Sequence, residues 1–240
     1  MSDQPEILKV SVAEDINTKD VPPGTQPPSM KEIEENLPKE EIEKRQKIML
    51  EYSRLSARYC EPHALKSRWI TAADLPRVLS DGRDLVAMCN LPRGHYSGIA
   101  ALAHPQIENK DPLRFFVLPT GMVIINPVIF GHTKVPVFKN EGCMSFPDHP
   151  VKMDISRYNK VRVMYQTLQK ISEDSDPILS APVTEDLSSG PAHVFQHEIS
   201  HLNGVNIYDE TYTAESCEGL GSGPLTEEQA KALYEQEKTT

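Results

Sequence analysis

Residues 196–201 read Gln196-His197-Glu198-Ile199-Ser200-His201. The stretch sits in a helical pattern that opens near Ser188-Ser189-Gly190-Pro191, where the proline suits a first turn, and closes at Asn203-Gly204. Two histidines four apart on a helix lie one above the other, so both imidazoles can reach one ion. Glu198 is turned roughly 100° from His197 around the axis. It therefore flanks such an ion without being forced to ligate it, which suits a base acting on water. The pattern points to a hydrolytic metal centre.

Two histidines leave that centre short of the three protein ligands that a catalytic site ordinarily has. No histidine follows His201, so a third imidazole from downstream is excluded. Glu210 and Glu215 remain candidates and would make an ordinary metallopeptidase. Upstream stands Glu141-Gly142-Cys143-Met144-Ser145-Phe146-Pro147, after a strand-like run at Val135–Phe138. A thiolate is an excellent ligand for a divalent transition metal, and the preceding glycine permits close backbone approach.

EGCMSFP and QHEISHLNG together resemble the second and third motifs of peptide deformylase. Ser97-Gly98-Ile99-Ala100-Ala101-Leu102-Ala103-His104-Pro105-Gln106 stands where that family has a glycine-rich first motif, and the strand NKVRVMYQT lies between the other two. The resemblance covers about 72–210. It implies an α+β fold with short mixed or antiparallel sheets around a central helix that carries the two histidines. It also implies removal of the formyl group from the N-terminal formyl-methionine of newly made polypeptides. Cys143, His197 and His201 would bind one divalent ion, commonly Fe2+, with Zn2+, Ni2+ or Co2+ also possible. Glu198 would be the general acid and base. Gln106 and the backbone N–H of Met144 would meet the oxyanion. Gly142 and the backbone at Ala101 would line the peptide cleft, and Val194 would wall the methionine pocket.

The first motif departs from the family pattern. With Gln106 as anchor, its glycine positions fall on Ile99 and Ala101, and an alanine position falls on His104. His104 reads either as a polar core residue or as a new substrate contact. Pro150 stands where many members carry an arginine, and Arg157 is expected to pair with Glu141 instead. These departures leave room for altered acyl or peptide specificity. A non-catalytic, partner-binding relative is the remaining alternative, and retention of Glu198 and Gln106 argues against it.

Around this core, 1–65 reads as an N-terminal extension with a helix at 39–59, 66–212 as the catalytic domain, and 213–240 as a tail. Residues 72–89 read as a helix with Asp81-Gly82 as its candidate break. Strands are expected at Phe115–Leu118, Met122–Ile125, Val135–Phe138 and Lys160–Gln166. The acidic, proline-punctuated 172–186 reads as a loop. Thr226 and Gln229 form a capping box for a last helix.

The 240 residues carry a net charge of −10, so nothing draws the chain to nucleic acid or an anionic membrane. No window approaches the ~18 apolar residues of a membrane span. The N-terminus has neither a secretory nor a transit pattern, so a cytoplasmic location is expected. Four cysteines without a C-x-x-C pair argue against a disulfide framework. The substrates would be nascent formyl-methionyl chains, with the ribosome as a possible docking partner for the last helix.

Overall fold

The computed structural model describes residues 39, 40, 50, 54, 55, 65–90, 99–146, 151–169, 176–210, 212–217 and 226–236. Most of the 39–59 helix, and Pro150, lie outside them. The described positions 39, 40, 50, 54 and 55 are helical. Leu55 is fully buried in the core, and Arg54 grips Asp84 with bonds of 2.7 and 3.2 Å.

Three further α-helices follow among the described residues: α1 (Leu75–Cys89), α2 (Ser189–Leu202) and α3 (Glu227–Gln236). The described residues also form nine strands: β1 (Leu102–Ala103), β2 (Phe115–Val117), β3 (Val123–His132), β4 (Pro136–Glu141), β5 (Lys152–Tyr158), β6 (Lys160–Gln166), β7 (Leu168–Gln169), β8 (Ile178–Leu179) and β9 (Val183–Ser188). β1-β2-β3-β6-β9 form one sheet, and β4-β5 and β7-β8 form separate pairs. Every paired strand runs antiparallel. The parallel element is an isolated bridge between Arg68 and Leu113. Helices segregated from antiparallel sheets make this an α+β fold.

Alternation along the central strands decides which helix lies on which face. Phe115, Val117, Val123 and Ile125 point to α1, where Leu75, Val78, Leu85 and Met88 meet them. Phe116, Ile124, Val161, Val163 and Tyr165 point the other way, onto Ala192, Phe195, Ile199 and Leu202 of α2. Each such side chain contributes about 1.5–3 kcal/mol by leaving water. Farther along the first face, Val128, Phe130 and Met164 receive Ala230 and Tyr234 of α3. The last helix thus docks on the body, and its capping box forms in both directions between Thr226 and Gln229.

Two expectations are corrected. Helix α1 runs unbroken through Asp81-Gly82, because both residues are buried and Asp81 has a hydrogen-bonding task inside the protein. The stretch 172–186 is not all loop: it contains β8 and most of β9. β9 is an edge strand whose side chains, apart from Leu187, are solvent-exposed. Charged residues on an edge suppress unwanted pairing and hide the strand from an apolar pattern.

Asn126 sits at φ 51 beside a bulge in β3. Its side chain accepts from Ile70 N–H and donates to Ile70 C=O, both at 2.9 Å. The amide thereby stands in for a neighbouring strand and anchors the chain that leads into α1.

Candidate metal centre

β4 delivers Cys143 and α2 delivers the two histidines. Beyond Glu141 the chain passes exposed Gly142 and turns at Cys143–Phe146, where Phe146 N–H donates to the Cys143 carbonyl at 3.0 Å. The Cys143 Sγ then lies 3.2 Å from His201 Nε2. One donor atom each from Cys143, His197 and His201 falls within 4.8 Å of the others. The rings of His197 and His201 stand 5.0 Å apart at 75°, as their i, i+4 spacing requires. The downstream glutamates are elsewhere: Glu215 accepts from Tyr158 OH at 3.1 Å, and Glu210 is solvent-exposed.

α2 is indexed against β5 by a side chain that sequence patterning does not single out. Gln196 accepts from Tyr158 N–H and donates to Tyr158 C=O, both at 2.7 Å. The expected Arg157–Glu141 pair is present, with bonds of 2.9 and 2.7 Å, and Arg157 is fully buried. The Glu141 carboxylate also lies 2.9 Å from His197 Nδ1. Arg157 reaches on to Ser200 and Tyr212. Burial pushes the Glu141 carboxyl up, but Arg157 and His197 outweigh it and hold its pKa at about 2. A carboxylate on Nδ1 fixes the tautomer that leaves Nε2 with its lone pair toward the centre.

Burial likewise pushes the Cys143 thiol up, and His201 and His197 outweigh it, bringing its pKa down to about 5. A thiol so placed is a thiolate at neutral pH, the form that ligates. Glu198 is 4% exposed and its Oε2 has no hydrogen-bond partner among the described residues. Burial drives its pKa up, which favours a group that takes and returns a proton.

Gln106 is brought to the same place from the far side of the chain. Residues His104–Gln106 form a single 3-10 turn after β1, and both elements pack against α2. The Gln106 carbonyl oxygen accepts from Ala103 N–H at 2.7 Å. Its Nε2 donates to Ser145 Oγ at 3.0 Å, which aims the amide at the Cys143–Phe146 turn. Met144 occupies the second position of that turn. Ala101 is buried, Val194 is half-buried against the α2 core, and a Cβ on Gly142 would meet only Val151 at 3.9 Å. Nothing among the described residues therefore demands glycine at 142. His104 is fully buried and both its ring nitrogens are hydrogen-bonded inside the protein, which favours the polar core reading. Ile99 packs on the α1 core.

The polypeptide deformylase family model matches residues 85–216, more than half of the chain. The chain belongs to the peptide deformylase family. The peptide deformylase of Thermotoga neapolitana is 38% identical over 118 residues, 48% of this chain and 63% of that protein. That of Latilactobacillus sakei is 29% identical over 150 residues, 58% of this chain and 72% of its own length. The chain thus spans a little under two thirds of the first relative. The crystal structure of peptide deformylase from Thermotoga maritima aligns with 30% identity, over 64% of this chain and 93% of that one, at a TM-score of 0.47.

A peptide deformylase uses a single divalent metal ion. The donors here fit one: a thiolate and two imidazoles converge, one imidazole is held by a carboxylate, and an unpartnered carboxylate oxygen stands beside them. No described helix is long and apolar enough to cross a membrane.

Proposed function

We propose that this chain removes the formyl group from formyl-methionine at the N-terminus of newly made polypeptides. The observation that carries the reading is the convergence of Cys143, His197 and His201 near Glu198, whose buried Oε2 has no hydrogen-bond partner among the described residues. Cys143, His197 and His201 would hold one divalent ion, for which we favour Fe2+ because the family commonly uses it. Zn2+, Ni2+ and Co2+ suit the same donors. When bound, the ion supplies Lewis acidity at the formyl oxygen and makes a water acidic enough to attack at neutral pH.

The protein's own groups do the rest. Glu198 takes the proton from the attacking water and returns it to the departing amine. Its burial raises its affinity for that proton above that of an ordinary carboxylate. Gln106 Nε2 and the Met144 N–H meet the charge that develops on the formyl oxygen. One such donor is worth roughly 3 kcal/mol of barrier. Gly142 and the backbone at Ala101 would hold the peptide extended, and Val194 would wall the methionine side chain. The domain of 66–212 would be the catalytic unit, in the cytoplasm, acting on nascent chains.

Formate release from a formyl-Met tripeptide tests the reading. Protein loaded with ferrous iron or nickel and kept anaerobic should release formate, and Cys143→Ala should lose both ion and activity. No release from the loaded parent protein overturns it. Full activity in Cys143→Ala overturns the ligand set.

A further inference from the structure

His104 stands where the resemblance calls for a small residue, and its ring is committed on every side. Nδ1 accepts from Leu113 N–H at 2.9 Å. A ring nitrogen that accepts carries no proton, so Nε2 bears the hydrogen and donates it to Asp81 Oδ2 at 3.0 Å. The ring also packs on Phe115, centroid to centroid at 4.7 Å. Asp81 comes from α1, and Leu113 and Phe115 lead into and begin β2. One buried imidazole therefore ties both elements to the 3-10 turn that ends in Gln106. The His104 carbonyl closes that turn, accepting from Ile107 N–H at 3.0 Å and Glu108 N–H at 3.1 Å.

Gln106 needs such an anchor. Its turn begins at Ala103, whose side chain cannot cap. The amide of Gln106 makes the one capping bond itself, to Ala103 N–H. A turn of three residues lacks the hydrogen-bond ladder that holds a longer helix, so its orientation depends on what grips it from outside.

We propose that His104, oriented by Asp81, is a positioning residue for Gln106, setting the turn so that the Gln106 amide nitrogen faces the Cys143–Phe146 loop. The proposal rests on the deformylase reading of the site. It assigns His104 no contact with substrate. It also explains how a bulky polar side chain is accommodated in the first motif: the imidazole lies against α1 and β2 and makes two directed hydrogen bonds there.

A double-variant cycle tests this, using the full chain loaded with nickel: His104→Ala, Gln106→Ala and the pair. His104→Ala should lower kcat by roughly 10- to 100-fold, a part of what a lost oxyanion donor costs. KM and bound metal should be unchanged. The pair should be no slower than Gln106→Ala alone, since a residue acting through another adds nothing once that one is gone. His104→Asn, whose Oδ1 can accept from Leu113, should recover most of the loss. Losses that multiply in the pair, or loss of metal in His104→Ala, overturn the proposal. Should His104→Ala fail to fold, His104→Gln, which keeps a donor toward Asp81, takes its place in the cycle. A readout independent of activity is the NMR signal of the Gln106 side-chain amide in zinc-loaded protein, assigned by its absence in Gln106→Ala. It should shift and lose exchange protection in the His104 variant, and an unchanged signal overturns the proposal. A parent protein that releases no formate sinks the deformylase reading, and the NMR arm then judges His104 separately.

Discussion

The carboxylate of Glu141 lies 2.9 Å from Nδ1 of His197 while the same group holds the buried Arg157. One residue thus orients a histidine donor and neutralises an interior cation. Glu141→Ala should therefore fail in two ways. Metal affinity, measured by competition with a chelator, should fall about 10- to 100-fold. Stability to urea should fall by about 3–5 kcal/mol, because Arg157 is left buried and unpaired. A stability loss without an affinity loss would mean that the bond to His197 is incidental.

Glu198→Gln should separate chemistry from folding. Formate release should drop by about 10²–10⁴-fold for want of a proton carrier, with metal content unchanged. The melting temperature should hold or rise, because an unpartnered buried carboxylate oxygen is a cost to the folded state. Melting curves and turnover on one preparation decide it. A large drop in melting temperature would show that the carboxylate is structural.

Acid should weaken the fold through His104. Burial depresses its pKa, and the opposing pull of Asp81 does not restore it; Arg77 lowers it further and Glu108 raises it. A histidine that is harder to protonate when folded binds fewer protons than in the unfolded chain. Its contribution is therefore complete above the unfolded value of about 6.5 and declines as pH falls below it. Urea midpoints at pH 7.5 and 5.5 should differ less in His104→Gln than in the parent. His193, also depressed by burial, should leave a residual slope. An identical slope in both proteins would exclude His104 as its source.

Tyr234→Phe should loosen α3. The Tyr234 hydroxyl is buried and donates to the carbonyls of Asn126 and Met164. Its loss should cost about 1–3 kcal/mol, read by urea unfolding. Hydrogen exchange should rise first in Glu227–Gln236. No change would mean that the ring's contact with Trp69, at 5.3 Å, suffices to seat the helix.

Local features were the ones open to reading from the sequence. The bounds of β6, the stop of α2 at Asn203-Gly204 and the Thr226–Gln229 box each follow from residues close together in the chain. The pairing of Arg157 with Glu141 is legible through the resemblance, because Pro150 stands where many members carry an arginine and Arg157 remains before β6. What escaped depends on distant partners. Asp81 and His104 are 23 positions apart, and Gln196 and Tyr158 are 38 apart. Neither pair has a spacing that betrays it. β5 was hidden because its register slips next to Lys139 and Asp154 takes φ 60, which spoils a period of two. α1 reads as breakable at Asp81-Gly82 because the bond that engages buried Asp81 with His104 comes from a distant part of the chain.

The Gln196 clamp has an evolutionary reading. It grips amide and carbonyl of residue 158, groups that every amino acid except proline supplies in full. The axial setting of His197 and His201 is thus written in main chain, in a script indifferent to spelling. The side chain at 158 can drift from one descendant to the next while the two imidazoles keep their height above the thiolate. The glutamine, by contrast, has no synonym: a shorter amide falls short of the strand, and a carboxylate can receive the one bond but not give the other.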